Sequence, residues 1–274
     1  MKASKLSGLV MLSAVIATVV SCDPMEPSTY YEQFFRIGTV RLNSQEKASI
    51  VMDAIGDDDP ESFDIRNFRT RSDMEKFGVR DSDRVVAVMD FNATETMYNN
   101  QITLNRLQKL EISKFADRKP ADTLNFDYYF RRFTLVNVAY PGIWATGHIV
   151  NIAPAYYVSE NAAPAEFYLD PVVLRHDTLF ARLYSRIPGT DHSQLRATQS
   201  LLCFDMASLR EPGGDADNQN IRNSILAGLK GRSSFTLTVV TPDSLRTYSA
   251  GYDGVLWRHP MLDHAVSVSV KFDF

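Results

Sequence analysis

An all-β fold, a small OB-like β-barrel followed by a β-sandwich with one short helix, is what this sequence predicts. Three observations lead there. Apolar residues alternate with period two through most of the chain. Helical spacing is convincing in one segment only. A charged, proline-containing break at 117–122 separates two blocks of strands. With 45% hydrophobic and 11% aromatic residues, the chain has the makings of a packed core. A net charge of −4, with no basic patch, excludes phosphate-neutralising contact with nucleic acid.

Residues 1–22 are read as a lipoprotein signal peptide. Lys2 and Lys5 give a positive start, and Leu6 to Val20 is an apolar run interrupted only by small residues. The run is shorter than the roughly 20 residues that a membrane helix needs, and its flank is that of a secretory signal. Val19-Val20-Ser21-Cys22 has the order of a lipobox: branched apolar, apolar, small, cysteine. Cleavage before Cys22 and acylation of its sulfur would anchor the chain, since each buried methylene contributes about 0.8 kcal/mol. The expected partner of Cys22 is therefore a membrane. Residues 23–33, with Asp23, Pro24, Glu26 and Pro27, read as a tether. Acidic residues directly after the cysteine fit inner-membrane retention or surface export.

The barrel is expected over 34–118. Phe35 to Leu42 alternates, and Lys47 to Ile55 is a second strand. Asp57-Asp58-Asp59-Pro60 lacks the ligand alternation and glycine of a calcium loop and is read as a solvated turn. Phe63, Ile65 and Phe68 mark a third strand, and residues 72–78 one helical turn. Val79 to Arg84 turns into a buried strand, Val85 to Phe91. Ile102, Leu104, Leu107, Leu110 and Ile112 alternate with one slip of register. Five short strands suit a small barrel.

Residues 119–124 are the expected linker, and 125–274 the sandwich. Phe133 to Val138, Ile143 to Ile152, Ala155 to Ser159, Leu179 to Tyr184 and Gln194 to Asp205 are expected strands. Ile221, Ile225, Leu226 and Leu229 recur at helical spacing, closed by Gly231. Phe235 to Val240 and Leu245 to Ala250 suggest a hairpin, and Val266 to Phe274 a terminal strand. Seven or more short strands argue for a sandwich.

At this point four short motifs resemble the NigD-like lipoproteins of Bacteroidetes. They are Ile37-Gly38-Thr39-Val40, Asp83-Arg84-Val85-Val86-Ala87-Val88, Ile143-Trp144 with Gly147 and Val150-Asn151-Ile152, and Cys203-Phe204-Asp205-Met206-Ala207-Ser208-Leu209. The resemblance implies an N-terminal OB-type domain, a C-terminal β-sandwich and an envelope location, with the outer membrane foremost and its face left open. It implies no catalytic residue. Asp122-Thr123-Leu124, Asp177-Thr178-Leu179 and Asp243-Ser244-Leu245 resemble the O-glycosylation sequon of those bacteria, which makes Thr123, Thr178 and Ser244 candidate acceptors.

Motifs for chemistry are missing from the sequence. No serine has the flanking glycines of a nucleophile elbow. Gly228 to Ser233 closes a helix rather than opening one, so it is no phosphate loop. His259 and His264 flank Pro260 without helical metal-ligand spacing. Once Cys22 is acylated, Cys203 has no disulfide partner, and its apolar run makes it a core residue. No catalytic, cofactor or metal site is expected. Aromatics are the functional lead: Tyr128, Tyr129, Tyr156, Tyr157, Tyr252 and Trp257 are expected to offer a surface for a glycan or protein partner. The expected function is a non-enzymatic envelope binding module. An envelope hydrolase with paired carboxylates and a pilus-like subunit stand as alternatives.

Overall fold

The computed structural model describes residues 31–54, 62–92, 102–115, 128–130, 133–135, 138–159, 165–186, 195–211, 216–242 and 263–271. Strands dominate it, as the alternation requires. The first sheet has the order β2-β1-β3-β4, from β1 (Tyr31–Leu42), β2 (Ala48–Met52), β3 (Arg84–Asn92) and β4 (Thr103–Lys109), all antiparallel. β1 starts inside the segment read as tether.

Side-chain parity divides this sheet. Phe34 and Val40 of β1 and Val85, Ala87 and Met89 of β3 point into one core. Ile37 and Val86 point to the other side, into a second cluster. Both faces are thus covered, which is why Val85 to Met89 is an unbroken apolar run rather than an alternating one. Gly38 is demanded by close approach, since a Cβ there would lie 2.6 Å from the Val51 carbonyl oxygen. The slip of register seen in the sequence is a bulge: Val88 pairs with Arg106 and Met89 with Leu104, leaving Asn105 unpaired.

The helix α1 (Arg71–Lys76) covers the first core with Met74. A capping box starts it: Thr70 accepts from the Asp73 N–H, and Asp73 accepts from that of Thr70. The Asp73 carboxylate also accepts from the Arg69 N–H at 3.1 Å, and that bond, with those from the Thr70 hydroxyl and Lys76, holds it well below the usual carboxylate range.

The first unit corrects the barrel expectation, because the sheet does not close among the described residues. Residues 63–68 supply a single bridge, Ile65 to Ile102, and not a strand. The end of the strand expected over Ile102 to Ile112 leaves this sheet: β5 (Ile112–Lys114) runs parallel to β15 (Leu202–Asp205) in the second unit. Four strands remain, too few to close a barrel.

The second unit is a sandwich of short sheets. One has the order β5-β15-β10-β9, with β9 (Ile143–Thr146) and β10 (Ile149–Ile152). Here the single strand expected over Ile143 to Ile152 is a hairpin, turned at Gly147 with φ +59°. The next is β14-β11-β6, with β6 (Tyr128–Phe130), β11 (Pro154–Ser159) and β14 (Leu195–Gln199). The strand expected over Gln194 to Asp205 is therefore two, broken at Ser200-Leu201, opposite the break at Ala153 before Pro154.

Facing these is β12-β13-β16-β17, from β12 (Glu166–Arg175), β13 (Thr178–Arg186), β16 (Ser234–Pro242) and β17 (Asp263–Lys271). Sequence reading missed β12, because Pro171 and a bulge before Val173 disrupt its alternation. β16 pairs with β17 and in parallel with β13. The second half of the expected hairpin, residues 245–250, lies outside the described residues. Phe133 to Val138 is corrected from one strand to a hairpin of β7 (Phe133–Leu135) and β8 (Val138–Tyr140).

The core between the layers holds Val150, Ile152, Phe204, Leu179, Leu237 and Val270, among others. Helix α2 (Ala216–Leu229) docks on it through Ile225 and Leu229, and Gly231 at φ +77° follows its end as the spacing predicted. Arg222 of α2 is buried. It donates to the carbonyls of Ser208 at 2.7 Å, Glu211 at 3.1 Å and Phe115 at 3.2 Å, which ties the helix to the 3₁₀ turn 206–210.

Candidate functional site

The densest chemistry among the described residues lies where the two units meet. Asp53 follows β2 and Arg84 opens β3, so both belong to the first unit. Trp144 of β9, Asn151 of β10 and Cys203 of β15 come from the second. Arg84 and Asp53 are fully buried and bidentate: one guanidinium nitrogen donates to Oδ1 of Asp53 at 2.7 Å and the other to Oδ2. The same two nitrogens also donate to Oγ1 of Thr39 at 3.2 Å and to Oδ1 of Asn151 at 2.9 Å. Nε1 of Trp144 donates to Oδ2 of Asp53 at 2.7 Å. Sγ of Cys203 donates to Oδ1 of Asn151 at 3.3 Å.

Tyr140 completes the junction from β8. Its hydroxyl accepts the Ile37 N–H at 2.9 Å, and its ring stacks on Trp144 with centroids 4.8 Å apart. The location has a backbone cause. β2 pairs with β1 only over Gly38–Leu42, so the ladder edge opens at Ile37. The Asp53 N–H takes the Ile37 carbonyl at 2.8 Å, and the Tyr140 hydroxyl takes the N–H.

The electrostatics describe a clamp, not a reaction centre. Burial disfavours the Arg84 charge, but hydrogen bonding to Asp53 outweighs it and holds the guanidinium above its ordinary value. Burial pushes the Cys203 thiol up to about 11, against the pull of Arg84. It pushes the Tyr140 phenol up to about 12. At neutral pH both stay protonated, so neither is a nucleophile or a base. Every one of these side chains is buried away from solvent.

The four motifs behind the sequence resemblance converge on this point. Ile37 and Thr39 come from the first, Arg84 from the second, Trp144 and Asn151 from the third, and Cys203 from the fourth. Asp53 and Tyr140 lie in none of them. Asp53 falls inside the strand expected over Lys47 to Ile55, and Tyr140 lies between the strands expected over Phe133 to Val138 and Ile143 to Ile152.

One of the expected surface aromatics faces the interior. Tyr156 is core: it is buried, packs edge-on against Phe167 at 5.1 Å and shares a 2.7 Å hydrogen bond with Ser200. The reason is the sandwich layer, which turns this position of β11 inward. Tyr128 pairs with Tyr156 and Tyr129 with Ala155 in the backbone register, and Tyr157 pairs with Ala197. Of the candidate aromatics, only the side chain of Tyr156 is described. Tyr252 and Trp257 lie outside the described residues, as do Cys22, Thr123, Ser244 and His259. Thr178 opens β13 half-buried, its hydroxyl 3.3 Å from Oδ1 of Asp177.

Together these features define a class: a sheet-built protein of two units, the second a sandwich, sealed by a buried ion pair. Proteins of known structure match this chain over most of its length. A protein described as a lipoprotein from Bacteroides fragilis NCTC 9343 matches with a TM-score of 0.51 at 10% identity, over 88% of this chain and 99% of that one. A protein described as toxin-related from Parabacteroides distasonis ATCC 8503 matches at 0.45 and 10% identity, over 88% and 94%. A NigD-like immunity protein from Bacteroides caccae ATCC 43185 matches at 0.41 and 13% identity, over 88% and 99%. At these identities the likeness to the Bacteroides fragilis protein establishes a common fold. No family model matches the chain, and no curated protein does.

Proposed function

We propose that this chain is a NigD-like envelope lipoprotein, held to a membrane through Cys22, whose two-unit body is a non-enzymatic module for a protein or glycan partner. The lipobox carries the reading: Val19-Val20-Ser21-Cys22 closes an apolar run too short to span a bilayer. The fold agrees with it, since a protein of the same build is described as a lipoprotein. The junction agrees as well, because its ionisable groups are spent on holding the two units together. The outer membrane is the proposed address.

Two measurements test this. Mass spectrometry of the native protein is expected to show a chain beginning at an acylated Cys22, and Cys22→Ser is expected to release it from the membrane fraction. An unmodified start upstream of Cys22 would refute the anchoring. A glycan array and cross-linking on intact cells are expected to yield a saturable ligand. Turnover of a glycan or peptide substrate by the purified chain would replace the binding reading with a hydrolytic one.

A further inference from the structure

The junction raises a question that anchoring and partner binding leave open: why bury a charge pair between two units that each have their own apolar core? The first core draws on Phe34, Ile50, Met89 and their neighbours, the second on Val150, Leu179, Leu237 and theirs. Between them, among the described residues, lies a small apolar cluster centred on Ile37, Val86, Tyr140, Trp144 and Ala153. Apolar contact of that size tolerates sliding, because dispersion and burial have no preferred direction. The polar network does not. Asp53 must meet both nitrogens of Arg84 from its own unit and Nε1 of Trp144 from the other, and Arg84 must also reach Asn151. A shift of an ångström or two between the units would break the Trp144–Asp53 and Arg84–Asn151 hydrogen bonds and leave buried polar groups without partners, a cost that a small apolar contact does not offset.

We infer that the Asp53–Arg84–Trp144–Asn151 network is a registry lock, which makes the two units open and close as one cooperative body in a single relative orientation. Its role is specificity of arrangement. An apolar replacement of similar volume could keep each unit folded, but it would lose the directional constraint. The remaining Arg84 donor fits this view: Nε has no hydrogen-bond partner among the described residues, so the pair is not optimised for net stabilisation.

Hydrogen exchange of the full mature chain tests the lock, read as protection of β1 and β3 against that of β13 and β16. In the unaltered protein the slowest amides of both pairs are expected to exchange through one common opening. In Asp53→Asn, the β1 and β3 amides are expected to exchange at least about tenfold faster than those of β13 and β16. Equal acceleration of both pairs would overturn the inference, as would two separate openings in the unaltered protein. Should Asp53→Asn fail to fold, the double variant Asp53→Leu with Arg84→Met removes the pair without stranding a charge. Separate openings of the two units are expected there, and a single common opening would overturn the lock.

Discussion

Removing one oxygen atom from Tyr140 probes the point where the ladder of β1 opens. The ring is fully buried and stacks on Trp144, so Tyr140→Phe keeps the packing and deletes only the hydroxyl. The Ile37 N–H, now 2.9 Å from that oxygen, would be left without its acceptor in a dry interior. A buried donor stranded in this way costs about 1–3 kcal/mol. The alkaline limb adds a sign that simple packing loss lacks. The Tyr140 phenol is raised from 10.0 to about 12 in the folded protein, chiefly by burial. Below pH 10 both states keep the proton, and the hydroxyl contributes its full share. Between pH 10 and 12 the unfolded chain releases the proton while the native one holds it, so stability falls as pH rises. At 1.36 kcal/mol per pH unit, the fall approaches roughly 2.7 kcal/mol by pH 12. Tyr140→Phe has no such proton to lose. Urea midpoints at pH 7, 9, 10 and 11 are therefore expected to show the variant weaker at neutral pH, with the gap narrowing above pH 10. A variant within about 0.5 kcal/mol at pH 7 would refute the hydrogen-bond argument, that being the scatter of ordinary surface changes. A gap independent of pH would refute the burial argument.

Gly38→Ala forces a Cβ against the backbone oxygen of Val51 and is expected to cost about 1–3 kcal/mol of unfolding free energy. Gly228→Ala meets only the movable end of Leu174 inside a helix, so it should be near neutral or gain up to about 1 kcal/mol from helix propensity. Equal losses in the two would show that the β1–β2 approach is not the constraint. Thr70→Ala removes the side-chain cap of α1 and is expected to cost about 1 kcal/mol by urea unfolding. Native Cys203 is expected to resist alkylation at pH 8 and to react in urea, because its thiol is buried and sits at about 11. Rapid labelling of the native protein would contradict the closed junction.

The dominance of strands and the end of α2 are local properties, and sequence alone determined them. Period-two alternation marks a half-buried strand wherever it lies. Even the bulge at Asn105 was legible, because a skipped parity in the apolar pattern is a skipped residue in the ladder. Which strands pair, and where one becomes two, was not legible. Ile112 reads as the end of the strand that starts at Ile102, yet β5 pairs with β15 some ninety residues on, since a three-residue strand carries too little pattern to name its partner. Ile143 to Ile152 reads as one strand until Gly147 reverses it. The meeting of the junction residues lay beyond the sequence. Arg84, Trp144, Asn151 and Cys203 stand in three of the resembling motifs and Asp53 in none, and nothing along the chain joins them. Only tertiary structure makes them neighbours, because hydrogen bonding and charge pairing act through distances in space, and no periodicity along a chain encodes a meeting between elements that far apart.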